Sequence, residues 1–287
     1  PLHQSLAANQ IESIVGILNG TTNYILSQMT ETGVNYANAL ADAQKQGFAE
    51  ADPTNDVCGF DAARKLAILS SIGFRANITF DDVLVEGIEK IDKSDIQYAK
   101  DMGYTIKLLT VALRQENGIA LNVYPAFLPD NHPLSSVKGA YNAIYVTGNI
   151  VDDVMFYGRG AGALPTASAV MGDVISTAQH ILNGSTGTGM IMTDTKRIPF
   201  YSSLKLQNSY YFRLDVDDVT GVLSQIAAAF AENDISICEV VQKRKTKGLA
   251  ELVLITELAS RESILQVEKA LQVLPCMRKV ANVIRVM

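Results

Sequence analysis

Apolar residues recur with two periods along the chain, and each change of period marks an element. Residues 11–18 (IESIVGIL) read as a buried strand that Asn19–Gly20 breaks. Thr21 or Thr22 then caps a helix to about Thr32, and a second helix spans about Asn35 to Gln46, with Gly47 as its stop. Asp52 as N-cap and Pro53 in the first turn predict a third helix, running to Ile72 and ended by Gly73. Strands are predicted over 78–91, 104–114 and 119–127, with a short helix from Ser94 or Asp95 to about Met102 between the first two. Residues 141–147 and 150–157 predict a hairpin around Thr147–Gly148–Asn149, and an apolar helix starts near Pro165.

After residue 184 the chain turns rich in Gly, Ser and Thr, and residues 185–207 read as a linker. A new pattern follows: a strand over 210–216, a helix over about 221–232, a hairpin of 235–244 and 249–257 around Lys247–Gly248, a helix over about 262–271 and a closing strand. The order βαββαβ is the ferredoxin-like arrangement. The predicted class is α+β: a mixed-sheet domain with helices on one face, followed by this ferredoxin-like unit.

One helix carries an oddity. At 100° per residue, Asp61 and Lys65 fall inside the stripe formed by Val57, Ile68 and Ile72, and they stand four apart, so their side chains can meet. A surface i,i+4 pair is the ordinary reading of such a spacing. The surrounding Phe60, Ala62, Leu66, Ala67 and Leu69 argue instead for a partly buried polar site on a rigid element, because charges in an apolar stripe are costly unless paired. Glu50 and Asp56 add carboxylates just upstream. The strand–Gly20–Thr21–helix turn points backbone N–H groups outward, which favours a carboxylate or phosphate, although an ordinary capped turn has the same pattern. Gly158, Gly160 and Gly162 precede another helix, as a ligand-approach loop or a tight turn would require. Their spacing is not the G-x-G-x-x-G dinucleotide fingerprint.

Composition narrows the choice. The chain has 287 residues, 48% hydrophobic and 19% charged, enough for two domains. A net charge of −6 argues against a nucleic-acid or anionic-membrane partner. No stretch reads as a membrane span or a secretory signal. Three cysteines, Cys58, Cys238 and Cys276, lie far apart and suggest reduced thiols in a cytoplasmic protein. His3, His132 and His180 form no ligand pattern, so no metal site is expected. Because the chain starts at Pro1, it reads as a fragment or processed product.

The stretch E-A-D-P-x-x-D-V-x-G-x-D-A-A-x-K-L-A-I-L, from Glu50 to Leu69, resembles the signature of the homoserine dehydrogenase family. ILNGTTNYIL resembles that family's opening substrate-domain motif, and GRGAGALPTASAV its G-P-G-A-G-x-x-P-T-A-S-A-V segment, with Arg159 where proline is usual. The resemblance implies NAD- or NADP-dependent interconversion of homoserine and aspartate semialdehyde, with possible homodimers or homotetramers. It implies Lys65 as catalytic cation and Asp61 as its orienting partner. Glu50, Asp56, Gly20 and Thr21 would contact the substrate, and Gly158 and Gly160 would lie beside the nicotinamide. A dinucleotide-binding domain would precede residue 1, leaving this chain inactive alone. The helix over about 165–182 would pack on that domain and here expose Val170, Val174 and Ile181.

D-x-x-G-V-L-S-Q-I and N-D-I-S-I resemble an ACT domain over 208–287, with Thr220 where proline is usual. That implies an amino-acid effector, threonine first, near Gly221, Val222, Asn233 and Ile235. Residues 1–184 would then be the catalytic portion. The alternative is a non-catalytic amino-acid-sensing or assembly module.

Overall fold

The computed structural model describes the chain except residues 1, 3, 186–197 and 247, and the side chains of 244–246. Most of the expected linker and Lys247 of the expected turn therefore lie outside the described residues. Strand β1 (Ile11–Ile17) leads into α1 (Gly20–Thr32), α2 (Tyr36–Lys45), α3 (Thr54–Val57) and α4 (Phe60–Phe74). After the two-residue β2 (Leu84–Val85) come α5 (Lys93–Asp101), β3 (Tyr104–Gln115), β4 (Gly118–Pro129), β5 (Tyr141–Gly148), β6 (Asp152–Arg159) and α6 (Ala163–Leu182). The C-terminal unit runs β7 (Gln207–Asp217), α7 (Val222–Ala231), β8 (Ile237–Thr246), β9 (Leu249–Thr256), the short β10 (Ala259–Ser260), α8 (Arg261–Gln272) and β11 (Met277–Val286).

The main path of the sheet is continuous, in the order β6-β5-β1-β3-β4-β11-β7-β9-β8. The two units join where β11 pairs parallel with β4, Arg285 opposite Ala126 and Val286 opposite Phe127. One face of the first unit packs under α1, α4 and α5 through Ile14, Ile25, Leu66, Ile96 and Phe127. The other carries Val15, Ile17, Leu109, Val111 and Tyr124, joined by Leu134 and Val137.

The C-terminal sheet is covered on both sides. Tyr210, Phe212 and Leu214 pack on Ile226, Phe230, Val267 and Leu271 of α7 and α8. The alternate residues, Tyr211, Val253 and Ile255, join the first unit's core beside Tyr98 of α5. A buried polar seam runs through this contact. The Asp95 carboxylate accepts from Arg213 Nε at 2.7 Å, Asn282 Nδ2 at 2.8 Å and Tyr211 OH at 3.1 Å. Arg213 also reaches Glu251, which accepts from Tyr98 OH at 2.9 Å.

Several expectations need correction. The helix expected from Pro53 to Ile72 is two helices, because Gly59 sits at φ 83° and breaks the ladder. Pro53, not Asp52, occupies the N-cap position, while Asp52 accepts from Thr54 N; Gly73 lies inside α4, which ends at Arg75. Residues 78–91 are strand only at Leu84–Val85, the short β2 that pairs with β4. Asp82 Oδ2 accepts from both Thr79 N and Thr79 Oγ1 at 2.8 Å, and this capping box closes a tight turn over Phe80–Asp82. Asn19 caps α1 rather than a threonine, and Asp92 caps α5 rather than Ser94 or Asp95. Within the stretch expected as linker, Ile119 N donates to Pro199 O and Tyr201 N to Ile119 O.

Candidate active site

The site forms where β1 ends. The chain leaves the strand at Leu18, and Asn19 turns it into α1. Asn19 is 4% exposed and uses both ends of its amide. Its Oδ1 accepts from Thr22 N at 2.8 Å, which satisfies an otherwise orphaned donor of the first helical turn. Its Nδ2 donates to Asp56 Oδ1 at 2.7 Å and to Asp61 Oδ2 at 2.9 Å. The break at Gly59 brings these two acids together: α3 delivers Asp56 and the first turn of α4 delivers Asp61.

Lys65, one turn on, places Nζ 2.7 Å from Asp61 Oδ2 and 3.2 Å from the Leu18 carbonyl. The same carbonyl accepts from Asn142 Nδ2 at 3.2 Å. The result is one chain of contacts, Asp56–Asn19–Asp61–Lys65–Leu18–Asn142. It positions an ammonium with a fixed carboxylate behind it. Such a group can donate a proton or stabilise negative charge on an oxygen.

Lys65 opens onto a cleft of about 440 Å³. Its apolar part is Leu18, Ile68, Leu69 and Phe156, and its far wall is the β6 terminus with Gly158, Arg159 and Gly160. Arg159 stands over the Tyr141 ring at 4.8 Å, and Tyr141 stacks on Tyr157 at 5.1 Å and 9°. A methyl group on Gly160 would collide with Asn142 Nδ2, so that glycine lets the strand close on Asn142. Asn142 Oδ1 is sealed from solvent and has no partner among the described residues. Burying a carbonyl unpaired costs about 1–3 kcal/mol.

The cleft thus unites Lys65 with Gly158 and Gly160, and the contact chain adds Asp61 and Asp56. Gly20 backs onto Ala140 and Asn142. Thr21 Oγ1 donates to Phe48 O at 2.6 Å, which pins the loop carrying Glu50 to the first turn of α1. Glu50 itself is exposed, and among the described residues its carboxylate makes no hydrogen bond or ion pair. Lys65 and Asp61 are partly buried, at 47% and 31% side-chain exposure, and Ile68 is 61% exposed. The α4 stripe lines an open cleft instead of core. As expected, α6 exposes Val170, Val174 and Ile181, at 56%, 52% and 61%, and none of its residues is buried.

In the C-terminal unit Gly221 caps the start of α7 and Val222 opens its first turn, whereas Asn233 and Ile235 lie beyond its far end. Asn233 and Ile235 border a cavity of about 300 Å³ with Gln207, Ser260 and Ser263; Gly221 and Val222 do not line it. The four expected regulatory residues therefore fall into two groups. Sequence reasoning missed Asn19 and Asn142. Asn19 both ends the strand and caps α1, and an Asn just before a helix start is the signal for that cap. Nothing local marks Asn142.

These features define an α+β protein with a lysine-centred cleft at a strand–helix junction, fused to a ferredoxin-like module. Residues 1–175 match the homoserine dehydrogenase family, and residues 210–276 match the ACT domain. The chain belongs to the homoserine dehydrogenase family.

It is similar to the homoserine dehydrogenase of Corynebacterium glutamicum, with 41% identity over 99% of this chain and 64% of the relative. The Bacillus subtilis homoserine dehydrogenase is 38% identical over 99% of this chain and 66% of its own length. The chain thus spans about two thirds of these relatives, 64% and 66%. The crystal structure of a homoserine dehydrogenase from Thiobacillus denitrificans superposes with a TM-score of 0.93 at 36% identity, covering 100% of this chain and 66% of that one. A hyperthermophilic archaeal homoserine dehydrogenase in complex with NADPH gives a TM-score of 0.52 at 27% identity, covering 62% of this chain and 50% of that one. Among the described residues, no helix is long and apolar enough to cross a membrane.

Proposed function

We propose that this chain forms the substrate site of an NAD(P)-dependent homoserine dehydrogenase that interconverts L-homoserine and L-aspartate 4-semialdehyde. Family membership supports the reaction class, as does NADPH in the archaeal relative. The observation that carries the reading is Lys65: it is bonded to Asp61 and opens onto the cleft walled by Gly158 and Gly160.

The residues present fit a nicotinamide. The cleft has an apolar floor and open space beside Gly158. When bound, the nicotinamide supplies a hydride carrier. Lys65 would hold the aldehyde oxygen, stabilise its developing negative charge and donate the proton. Asp61 and the Leu18 carbonyl aim the ammonium. Asp56 and the exposed Glu50 offer negative charge for the substrate's α-ammonium. The α1 N-terminus at Gly20–Thr21 offers positive dipole for its carboxylate.

Residues 1–184 would form the catalytic portion, 185–207 the linker and 208–287 a threonine-responsive ACT domain, in a cytoplasmic homodimer or homotetramer of threonine, methionine and isoleucine biosynthesis. The exposed apolar face of α6 fits docking against a nucleotide-binding domain. Calorimetric titration of L-homoserine into this chain tests the reading. Binding is expected, and Glu50→Ala and Asp56→Ala should weaken it at least about tenfold, about 1.4 kcal/mol. Unchanged affinity in both variants would refute the site.

A further inference from the structure

Residues 86–90 touch strand β11 at both ends and the α3–α4 elbow through the three residues between. The Glu86 carboxylate takes both terminal nitrogens of Arg285 from β11, each at 3.0 Å. Gly87 lies flat against the elbow: a methyl group there would collide with the Val57 carbonyl oxygen and stand 2.6 Å from Cys58 Cα. Ile88 N donates to Val57 O at 2.8 Å, and Cys58 Sγ donates to Glu89 Oε2 at 3.2 Å. The Lys90 carbonyl accepts from Asn282 Nδ2 of β11 at 3.0 Å, and Asn282 also reaches Asp95.

The elbow held on one side of this segment is the break that sets Asp56 against Asp61. It is confined further because a methyl group on Gly59 would stand only 3.1 Å from Val85 Cγ1 and Val123 Cγ1. Neither side has slack. Arg285 is 4% exposed and stacked over Tyr124 at 4.1 Å, and Ile88 is fully buried. A packed, hydrogen-bonded segment of this kind transmits displacement instead of absorbing it.

We propose that residues 86–90 are a coupling element through which the position of β11 sets the geometry of the elbow, and so of the Asp56–Asn19–Asp61–Lys65 chain. A shift of β11 pulls on Glu86 and on the Lys90 carbonyl, and the stretch between them bears on Val57 and Cys58. The chemistry at Lys65 lies at one end of the path, and the module matching the ACT domain lies at the other.

The experiment is backbone hydrogen exchange on this chain, comparing Arg285→Lys and Asn282→Ala with the wild type. It uses no substrate or effector, so it holds or fails independently of the dehydrogenase reading. Both variants should speed exchange at 86–92 and across the elbow, residues 57–65, by about tenfold. Strand β5, paired with β1 and β6 and not with β11, should keep its protection and report on global stability. Gly87→Ala should give the same elbow response while β11 stays protected. Acceleration that stops at residue 92, or that spreads equally to β5 in both β11 variants, would overturn the proposal.

Discussion

Asn19 and Lys65 bind the same carboxylate oxygen: Asp61 Oδ2 lies 2.9 Å from Asn19 Nδ2 and 2.7 Å from Lys65 Nζ. A helix cap and the cationic side chain are therefore parts of one arrangement. Asn19→Ala removes the cap of α1 and a donor shared by two acids. A loss of about 1–3 kcal/mol is expected in urea unfolding. Asn19→Asp keeps the cap but sets a third carboxylate against Asp56 and Asp61. Its deficit should be largest at neutral pH and narrow toward about pH 4, where carboxylates protonate.

Lys65→Ala should separate stability from function. The Lys65–Asp61 pair is substantially exposed, so solvent screens it and its loss should change unfolding by less than about 1 kcal/mol. For the reaction proposed above, hydride transfer between homoserine and NAD or NADP should fall at least about a hundredfold, the usual contribution of a positioned proton donor. An enzyme that retained its rate would leave Lys65 as a surface cation.

Much of this was readable in the chain. The order of the strands and helices beyond Tyr104 follows from period and turn residues alone, and Asp61 with Lys65 from helical spacing. The failures share a cause. Residues 78–91 alternate like a strand, but Thr79 and Asp82 satisfy each other locally and close a turn, leaving only Leu84–Val85 to pair with β4. Two helices read as one because a lone glycine in a helical pattern is usually tolerated, whereas Gly59 must pass between Val85 and Val123. Asn142 was invisible because its role depends on a carbonyl 124 residues away. The exposure of Ile68 was not legible because a period shows which residues share a face, not what covers it.

Arg213 joins the two units across a buried seam, and its loss should be costly. The Asp95 side chain is fully buried and that of Glu251 8% exposed, so Arg213→Met removes the cation facing both. A destabilisation of about 3–5 kcal/mol is expected by denaturant titration. The double variant Arg213→Met, Asp95→Leu should recover part of it, because one of the two stranded charges is gone while Glu251 remains. Equal stability of single variant and wild type would show that the seam does not hold the units together.

Lys107 gives the chain an alkaline signature. Its side chain is 2% exposed, and its ammonium donates to Asn23 Oδ1 at 3.0 Å and to the Val137 carbonyl, both neutral. Burial, with Lys138 adding repulsion, lowers its pKa to about 8. The unfolded lysine holds its proton to about 10.4, so between these values the unfolded state binds more protons. Stability from this group should therefore rise as pH increases from about 8 to about 10.4, by up to about 3 kcal/mol, and fall as pH drops back through about 8. Lys107→Met should abolish that slope and leave the curve below pH 7 parallel to wild type. Urea midpoints measured from pH 7 to pH 10.5 test this directly. A wild-type curve that is flat or falling across the window, with no difference in slope from Lys107→Met, would mean that the buried ammonium keeps its proton as readily as an exposed one.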